Sequence, residues 1–90
     1  MSNGKKVVVI TGASQGIGAA LVSAYLDRNY RIVATSRSIQ PSNNPDVLAI
    51  AGDIGDPETG PRVIAAAIET FGRVDTLVNN AGIFLAAPFT

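Results

Sequence analysis

The chain has 90 residues, of which 47% are hydrophobic and 16% charged; it is more apolar and less charged than ordinary globular usage and unlike a disordered segment. Seven Lys and Arg balance seven Asp and Glu, so no net field draws nucleic acid or an anionic membrane surface. His and Cys are both absent, which excludes disulfides, zinc and iron–sulfur sites, Cys nucleophiles and Ser-His-Asp triads within these residues.

Residues 1–6 form a polar lead-in. Lys5 and Lys6 precede only four apolar residues, Val7 to Ile10, too few for the core of a secretory signal, and no run approaches the ~20 apolar residues of a membrane span. The expected location is cytoplasmic. Val7–Ile10 is a β-branched run closed by Thr11 and Gly12, the pattern of a strand buried on both faces. Ile17, Ala20, Leu21, Ala24 and Tyr25 then fall on one helical stripe, with Asn29 as the stop. Ile32–Ala34 reads as a second strand. The stretch 38–45, SIQPSNNP, holds two Pro, two Asn and two Ser; it is turn chemistry, and no helix fits there. Val47–Ala51 is a third strand, closed by Gly52 and Asp53. Asp56 or Thr59 caps a second helix with Pro57 or Pro61 in its first turn. Ile64, Ala67, Ile68 and Phe71 form its stripe, and Gly72 ends it. Thr76–Val78 is a fourth strand, stopped by Asn79–Asn80–Ala81–Gly82. The remainder, 83–90, is apolar.

The order β-α-β-loop-β-α-β with right-handed crossovers predicts a parallel sheet. If the first strand is central and the winding reverses once, the strand order is 3-2-1-4 with one helix on each face. The fold class is therefore α/β, a doubly wound parallel sheet of Rossmann type. Two helices cannot cover both faces of four strands, and the fourth strand would be a bare edge. Residues 1–90 accordingly read as the N-terminal part of a single dinucleotide-binding domain.

The first strand leads directly into Thr11-Gly12-Ala13-Ser14-Gln15-Gly16-Ile17-Gly18 and the first helix. Gly12 suits a tight turn off the strand, Gly16 a close backbone approach to a pyrophosphate, and Gly18 close packing of helix on strand, while the helix N-terminus presents N–H groups to phosphate. The spacing is GxxxGxG rather than GxGxxG. A GxxxxGK[ST] phosphate loop needs Lys where Ala19 stands. A receiver-type domain needs acidic residues at the end of the first strand, and a methyltransferase needs one where Ser36 stands.

Four stretches together, TGASQGIG (11–18), TSR (35–37), GDIGD (52–56) and NNAG (79–82), resemble the N-terminal part of the short-chain dehydrogenases/reductases, although the 38–45 connection is shorter than that family usually has. The resemblance implies that Gly12, Ser14, Gln15, Gly16, Ile17 and Gly18 surround the phosphates and ribose of a nicotinamide dinucleotide. It implies that Asp53 accepts from the adenine amino group with Ile54 beside it, that Asn80, Ala81 and Gly82 pack on the adenosine side, and that Asn79 braces the sheet. The ribose-reading position lies about 20 residues past the glycine motif; here it is Ser36, followed by Arg37. An acidic side chain there would hold the 2′-hydroxyl of NAD and repel a 2′-phosphate, whereas Ser removes the repulsion and Arg offers a phosphate a bidentate pair. NADP(H) is expected in preference to NAD(H).

The family transfers hydride between nicotinamide and a carbonyl or alcohol, using a Tyr, a Lys four residues later and a Ser. Tyr25 is followed at that distance by Asn29 and Tyr30 by Ala34, so no catalytic residue is assigned within 1–90. The resemblance implies a parent NADP(H)-dependent oxidoreductase acting on a small carbonyl or alcohol substrate, with dimers or tetramers as the usual assembly and no nucleic-acid or membrane partner. The alternatives are a non-catalytic NADP-binding sensor on the same fold and an inactive structural fragment.

Overall fold

In the computed structural model, residues 4–13, 16–53 and 55–80 are described. The first strand, β1 (Val7–Thr11), has every residue buried, as its unbroken β-branched run requires. It lies between β2 (Arg31–Ser36) and β4 (Thr76–Asn79), and β3 (Val47–Ala51) pairs with the far side of β2, so the order is β3-β2-β1-β4. All three pairings are parallel. The order 3-2-1-4 is the one predicted. Each of the first, second and fourth strands runs past the bounds set by its apolar run, because Thr11 still pairs with Thr35 and Asn79 and Ser36 with Ala51.

Successive side chains of a strand point to opposite faces, and the core divides accordingly. Val7, Val9 and Val33 pack with Val63, Ala67 and Phe71 of α2 (Thr59–Phe71), while Val8, Ile10, Ile32 and Ala34 pack with Leu21, Val22, Tyr25 and Leu26 of α1 (Gly16–Asp27). The helices thus take opposite faces of the sheet. Each fully buried Val or Ile side chain contributes about 1.5–3 kcal/mol, so β1, buried from both sides, is the centre of the structure. The stretch 38–45 contains no helix; Ile39 alone reaches from it to the α1 side of the core.

Two helical stripes differ from expectation. In α1 the packed face is Gly18, Leu21, Val22, Tyr25 and Leu26, whereas Ile17, Ala20 and Ala24 are exposed. The sequence GIGAALVSAYLD is apolar nearly all round, so periodicity alone does not choose a face. Gly18 chooses it: a Cβ there would lie 2.0 Å from Gly12 O and 2.9 Å from Ala13 Cα, so this position must turn toward β1. In α2 Val63 takes the buried place and Ile68 is 49% exposed.

Both helices end as their terminal residues dictate. Asn29 adopts φ 67; its N–H donates to Leu26 O and that of Tyr30 to Tyr25 O, both at 3.0 Å, the paired bonds of a Schellman turn. The rings of Tyr25 and Tyr30 meet edge to face at 4.8 Å, supplying the apolar contact that accompanies this turn. Gly72 (φ 85) closes α2 with its N–H on Ile68 O. At the other end Asp56 Oδ1 accepts from Glu58 N at 3.0 Å in the turn before α2; the N-cap is Glu58, without a side-chain capping bond, and Thr59 is the first helical residue, so neither Asp56 nor Thr59 is the cap.

The amino ends of the strands are tied by charge. Asp46 Oδ2 accepts from Lys5 Nζ at 3.1 Å and its Oδ1 from Arg31 Nε at 3.3 Å. Arg73 meets both carboxylate oxygens of Asp75 at 2.8 and 2.7 Å, and Val7 N also donates to Asp75 Oδ2 at 2.8 Å. The Lys5 ammonium, helped by Arg31, holds the Asp46 carboxyl below the usual carboxylate range. The Arg73 guanidinium and the Val7 N–H do the same for Asp75. No helix among the described residues is long and apolar enough to cross a membrane.

Candidate functional site

The carboxyl ends of the four strands lie side by side, and the winding reverses between β1 and β4. Doubly wound sheets bind ligands in the crevice outside such a reversal. All four sequence motifs reach this edge, and hydrogen bonds join them across it. Asn80 Nδ2 donates to Gly12 O at 3.1 Å, fastening the end of β4 to the first turn of the glycine loop. Ala13 N donates to Thr35 O at 3.2 Å, fastening the same loop to β2, and Gly52 N donates to Ser36 O at 3.0 Å, fastening β3 to β2. Below this row Thr11 Oγ1 donates to Asn79 Oδ1 at 2.9 Å and the buried Thr35 Oγ1 to Ile50 O at 2.6 Å. The Asn79 bond braces β4 on β1.

The glycines act by different means. Gly12 has φ 66 and Gly16 φ 61, a region where side chains with a Cβ are strained. A Cβ on Gly16 would meet nothing within 4 Å among the described residues. Gly18 is needed for close packing, as described above. Ile17, beside them, is 72% exposed, a large apolar side chain presented at the mouth of the loop.

Ser36 ends β2 on the face shared by Ile32 and Ala34. Its Oγ is buried and has no hydrogen-bond partner among the described residues. A buried hydroxyl without a partner costs roughly 1–3 kcal/mol, so the group calls for a partner. Arg37 follows, exposed, in the turn that leaves the strand. Beyond β3, Asp53 is exposed, and its Oδ1 accepts from Gly55 N at 2.9 Å. Asp53 borders an open cavity of about 520 Å³ with Ala51, Gly52, Asp56, Glu58, Thr59 and Arg62.

Gly12, Gly16, Ile17, Gly18, Ser36, Arg37, Asp53 and Asn80 therefore stand along one edge. Ser14, Gln15, Ile54, Ala81 and Gly82 lie outside the described residues. One residue at this edge escapes a motif-based reading. Arg62 belongs to α2 yet bonds to β3, with Nη2 donating to Ala51 O at 2.9 Å; the only local signal is the small Gly52 beneath it.

Comparison with known proteins agrees with this architecture. The family model described as short chain dehydrogenase matches residues 6–90. An 11-beta-hydroxysteroid dehydrogenase A from Sesamum indicum is 41% identical over 88 residues, covering 87% of this chain and 25% of that protein. The crystal structure of the KRED1-Pglu enzyme superposes with a TM-score of 0.79 at 42% identity, covering 88% of this chain and 36% of that one. A structure of an ElxO variant with NADPH bound gives a TM-score of 0.76 at 34% identity, again over 88% of this chain and 36% of the other. The chain thus spans about a quarter to a third of the length of these relatives. With the sheet order, the glycine loop and the family match all in agreement, the chain belongs to the short-chain dehydrogenase family.

Proposed function

We propose that the protein is an NADP(H)-dependent oxidoreductase, interconverting a small carbonyl compound and its alcohol, and that residues 1–90 supply the cofactor-binding half of the enzyme. The observation that carries this reading is the pair Ser36–Arg37 at the carboxyl end of β2: a buried hydroxyl lacking a partner next to an exposed guanidinium. A 2′-phosphate on the adenosine ribose suits both, since it accepts from the hydroxyl and takes the two parallel N–H groups of the guanidinium. An acidic residue in place of Ser36 would repel it. The NADPH held by the ElxO variant supports the same choice.

The remaining residues fit the rest of a dinucleotide. Gly12 and Gly16 would line the pyrophosphate at the N-terminus of α1, where both adopt a positive φ and neither carries a side chain. Asn80 holds the Gly12 turn in place through its carbonyl. Asp53 would accept from the adenine amino group with the carboxylate oxygen that does not serve Gly55. Ser14, Gln15, Ile54, Ala81 and Gly82 are assigned to the same site on family resemblance. When bound, the nicotinamide supplies or receives the hydride; residues 1–90 orient it and contribute no proton-transfer group. We place the protein in the cytoplasm, with a homo-oligomer as its working form and no nucleic-acid or membrane partner.

The test is direct titration of the full-length protein with NADPH and NADH, followed by nicotinamide fluorescence. Tighter binding of NADPH is expected. Binding of neither cofactor refutes the function, and tighter binding of NADH refutes the role given to Ser36 and Arg37.

A further inference from the structure

We propose that Arg62 is a positioning residue for the adenosine end of the dinucleotide, an inference that rests on the cofactor reading above. Helical side chains lean toward the N-terminus of their helix, and Arg62, in the first turn of α2, reaches back to the end of β3. Its Nη2 donates to Ala51 O at 2.9 Å. The guanidinium lies directly on Gly52: a Cβ there would come 2.6 Å from Arg62 Nη2 and 3.0 Å from Thr59 Cγ2. Gly52 has no positive φ, so the glycine is explained by this contact and not by backbone conformation.

What Arg62 holds is the corner between the two adenosine-reading positions. Ala51 pairs with Ser36 across the ladder, and Gly52 N donates to Ser36 O at 3.0 Å. Asp53 follows immediately. β3 is the outer strand of the described sheet on this side, with β2 as its neighbour, so the Ala51 carbonyl has no further strand to pair with and takes Arg62 instead. By taking that carbonyl, Arg62 fixes the distance between Ser36–Arg37 on one side and Asp53 on the other. A planar guanidinium can do this and still line the cavity that Asp53 borders. Asp53, Asp56 and Glu58 line the same cavity as Arg62.

The experiment compares the full-length wild type with Arg62→Ala, Arg62→Lys and Gly52→Ala, titrating NADPH and 2′,5′-ADP and recording thermal unfolding of each variant. Gly52→Ala displaces the guanidinium while keeping its charge. Arg62→Ala and Gly52→Ala are expected to weaken both ligands in parallel by about tenfold, the effect of one charge-assisted hydrogen bond, and Arg62→Lys to recover most of the loss. Unchanged affinities in Arg62→Ala overturn the proposal, as does a fall in unfolding temperature with affinities preserved. If one variant fails to fold, the other two still decide the matter. Wild type that binds neither ligand refutes the cofactor reading itself, whereas wild type that binds both beside an indifferent Arg62→Ala refutes only the role of Arg62.

Discussion

Replacing Gly18 by Ala tests the claim that this glycine sets the position of α1. In an exposed helix interior the change would stabilise by about 1 kcal/mol, because Ala is the better helix former. Here the new Cβ would stand 2.0 Å from Gly12 O, 2.8 Å from Gly12 C and 2.9 Å from Ala13 Cα. All three atoms are backbone, so no side-chain rotation relieves the overlap. A carbon and an oxygen sit comfortably at roughly 3.3–3.5 Å, so the helix start or the Gly12 turn must retreat by more than 1 Å. Retreat strains Ala13 N on Thr35 O and Asn80 Nδ2 on Gly12 O, the two bonds that fix this turn. Overpacking of a methyl into a tight core costs about 1–3 kcal/mol, and disturbing two hydrogen bonds adds about 1–2 kcal/mol. After subtraction of the propensity gain, Gly18→Ala should destabilise by about 1–4 kcal/mol. The assay is equilibrium urea unfolding, with Gly16→Ala beside it as a comparison in which the Cβ meets nothing within 4 Å among the described residues and only the positive φ is penalised, by about 1–2 kcal/mol. Gly18→Ala at or above wild-type stability, with an unchanged denaturant slope, would refute the packing argument.

Arg37→Asp should swing the ratio of NADP(H) to NAD(H) affinity toward NAD(H) by about 10–100-fold, since it removes a bidentate pair and adds repulsion; an unchanged ratio in fluorescence titrations would show that Arg37 does not read the ribose. Asn29→Gly should stabilise by up to about 1 kcal/mol and Asn29→Ala destabilise by a similar amount, because φ 67 suits Gly better than Asn and Asn better than Ala; equal unfolding midpoints would contradict this. Asp46 and Asp75 are both held below their ordinary values in the folded state, Asp46 by Lys5 and Asp75 by Arg73. Their contribution to stability is therefore complete above the unfolded carboxylate value near 4 and is lost as pH falls through the lower folded values. Asp46→Asn should flatten this acid limb in a pH series of unfolding midpoints, and a limb as steep as that of the wild type would rule the pair out.

The parts of the fold legible in the sequence are those that local sterics decide. Val7–Ile10 had to be a strand covered on both sides, because an unbroken β-branched run suits nothing else at that length. Gly72 had to end a helix, and its φ of 85 is the reason. Asn29 stopped α1 by the same left-handed turn. What local reasoning missed was decided at a distance. Periodicity in GIGAALVSAYLD does not prefer Gly18, Leu21, Val22, Tyr25 and Leu26 as the packed face over Ile17, Ala20, Leu21, Ala24 and Tyr25; the carbonyl of Gly12 makes that choice. Thr11, Ser36 and Asn79 fall outside the apolar runs that mark the strands, yet each continues a ladder supplied by its neighbour. The candidate site divides in the same way. Its glycines and Asp53 announce themselves by type and spacing, whereas Arg62 becomes visible only when α2 is laid against β3.

The two ends of the sheet are built on opposite principles. At the amino end, Lys5, Arg31 and Asp46 pair with one another, and Arg73, Asp75 and the Val7 N–H do likewise, so the charges there are turned inward on the protein. At the carboxyl end the motifs are joined mainly by neutral bonds through carbonyls and amides, from Asn80 to Gly12, from Ala13 to Thr35 and from Gly52 to Ser36. None of these bonds uses the buried Ser36 hydroxyl, the exposed Arg37 side chain or the second oxygen of Asp53. A fold that needed its carboxyl edge for stability would be expected to pair Arg37 with a carboxylate and to put an apolar residue at Ser36. The ion pairs that tie the strands lie at the end of the sheet opposite the proposed cofactor site. Asp46→Asn, which leaves Lys5 and Arg31 without their carboxylate, should lower stability while leaving the affinity for NADPH where it was.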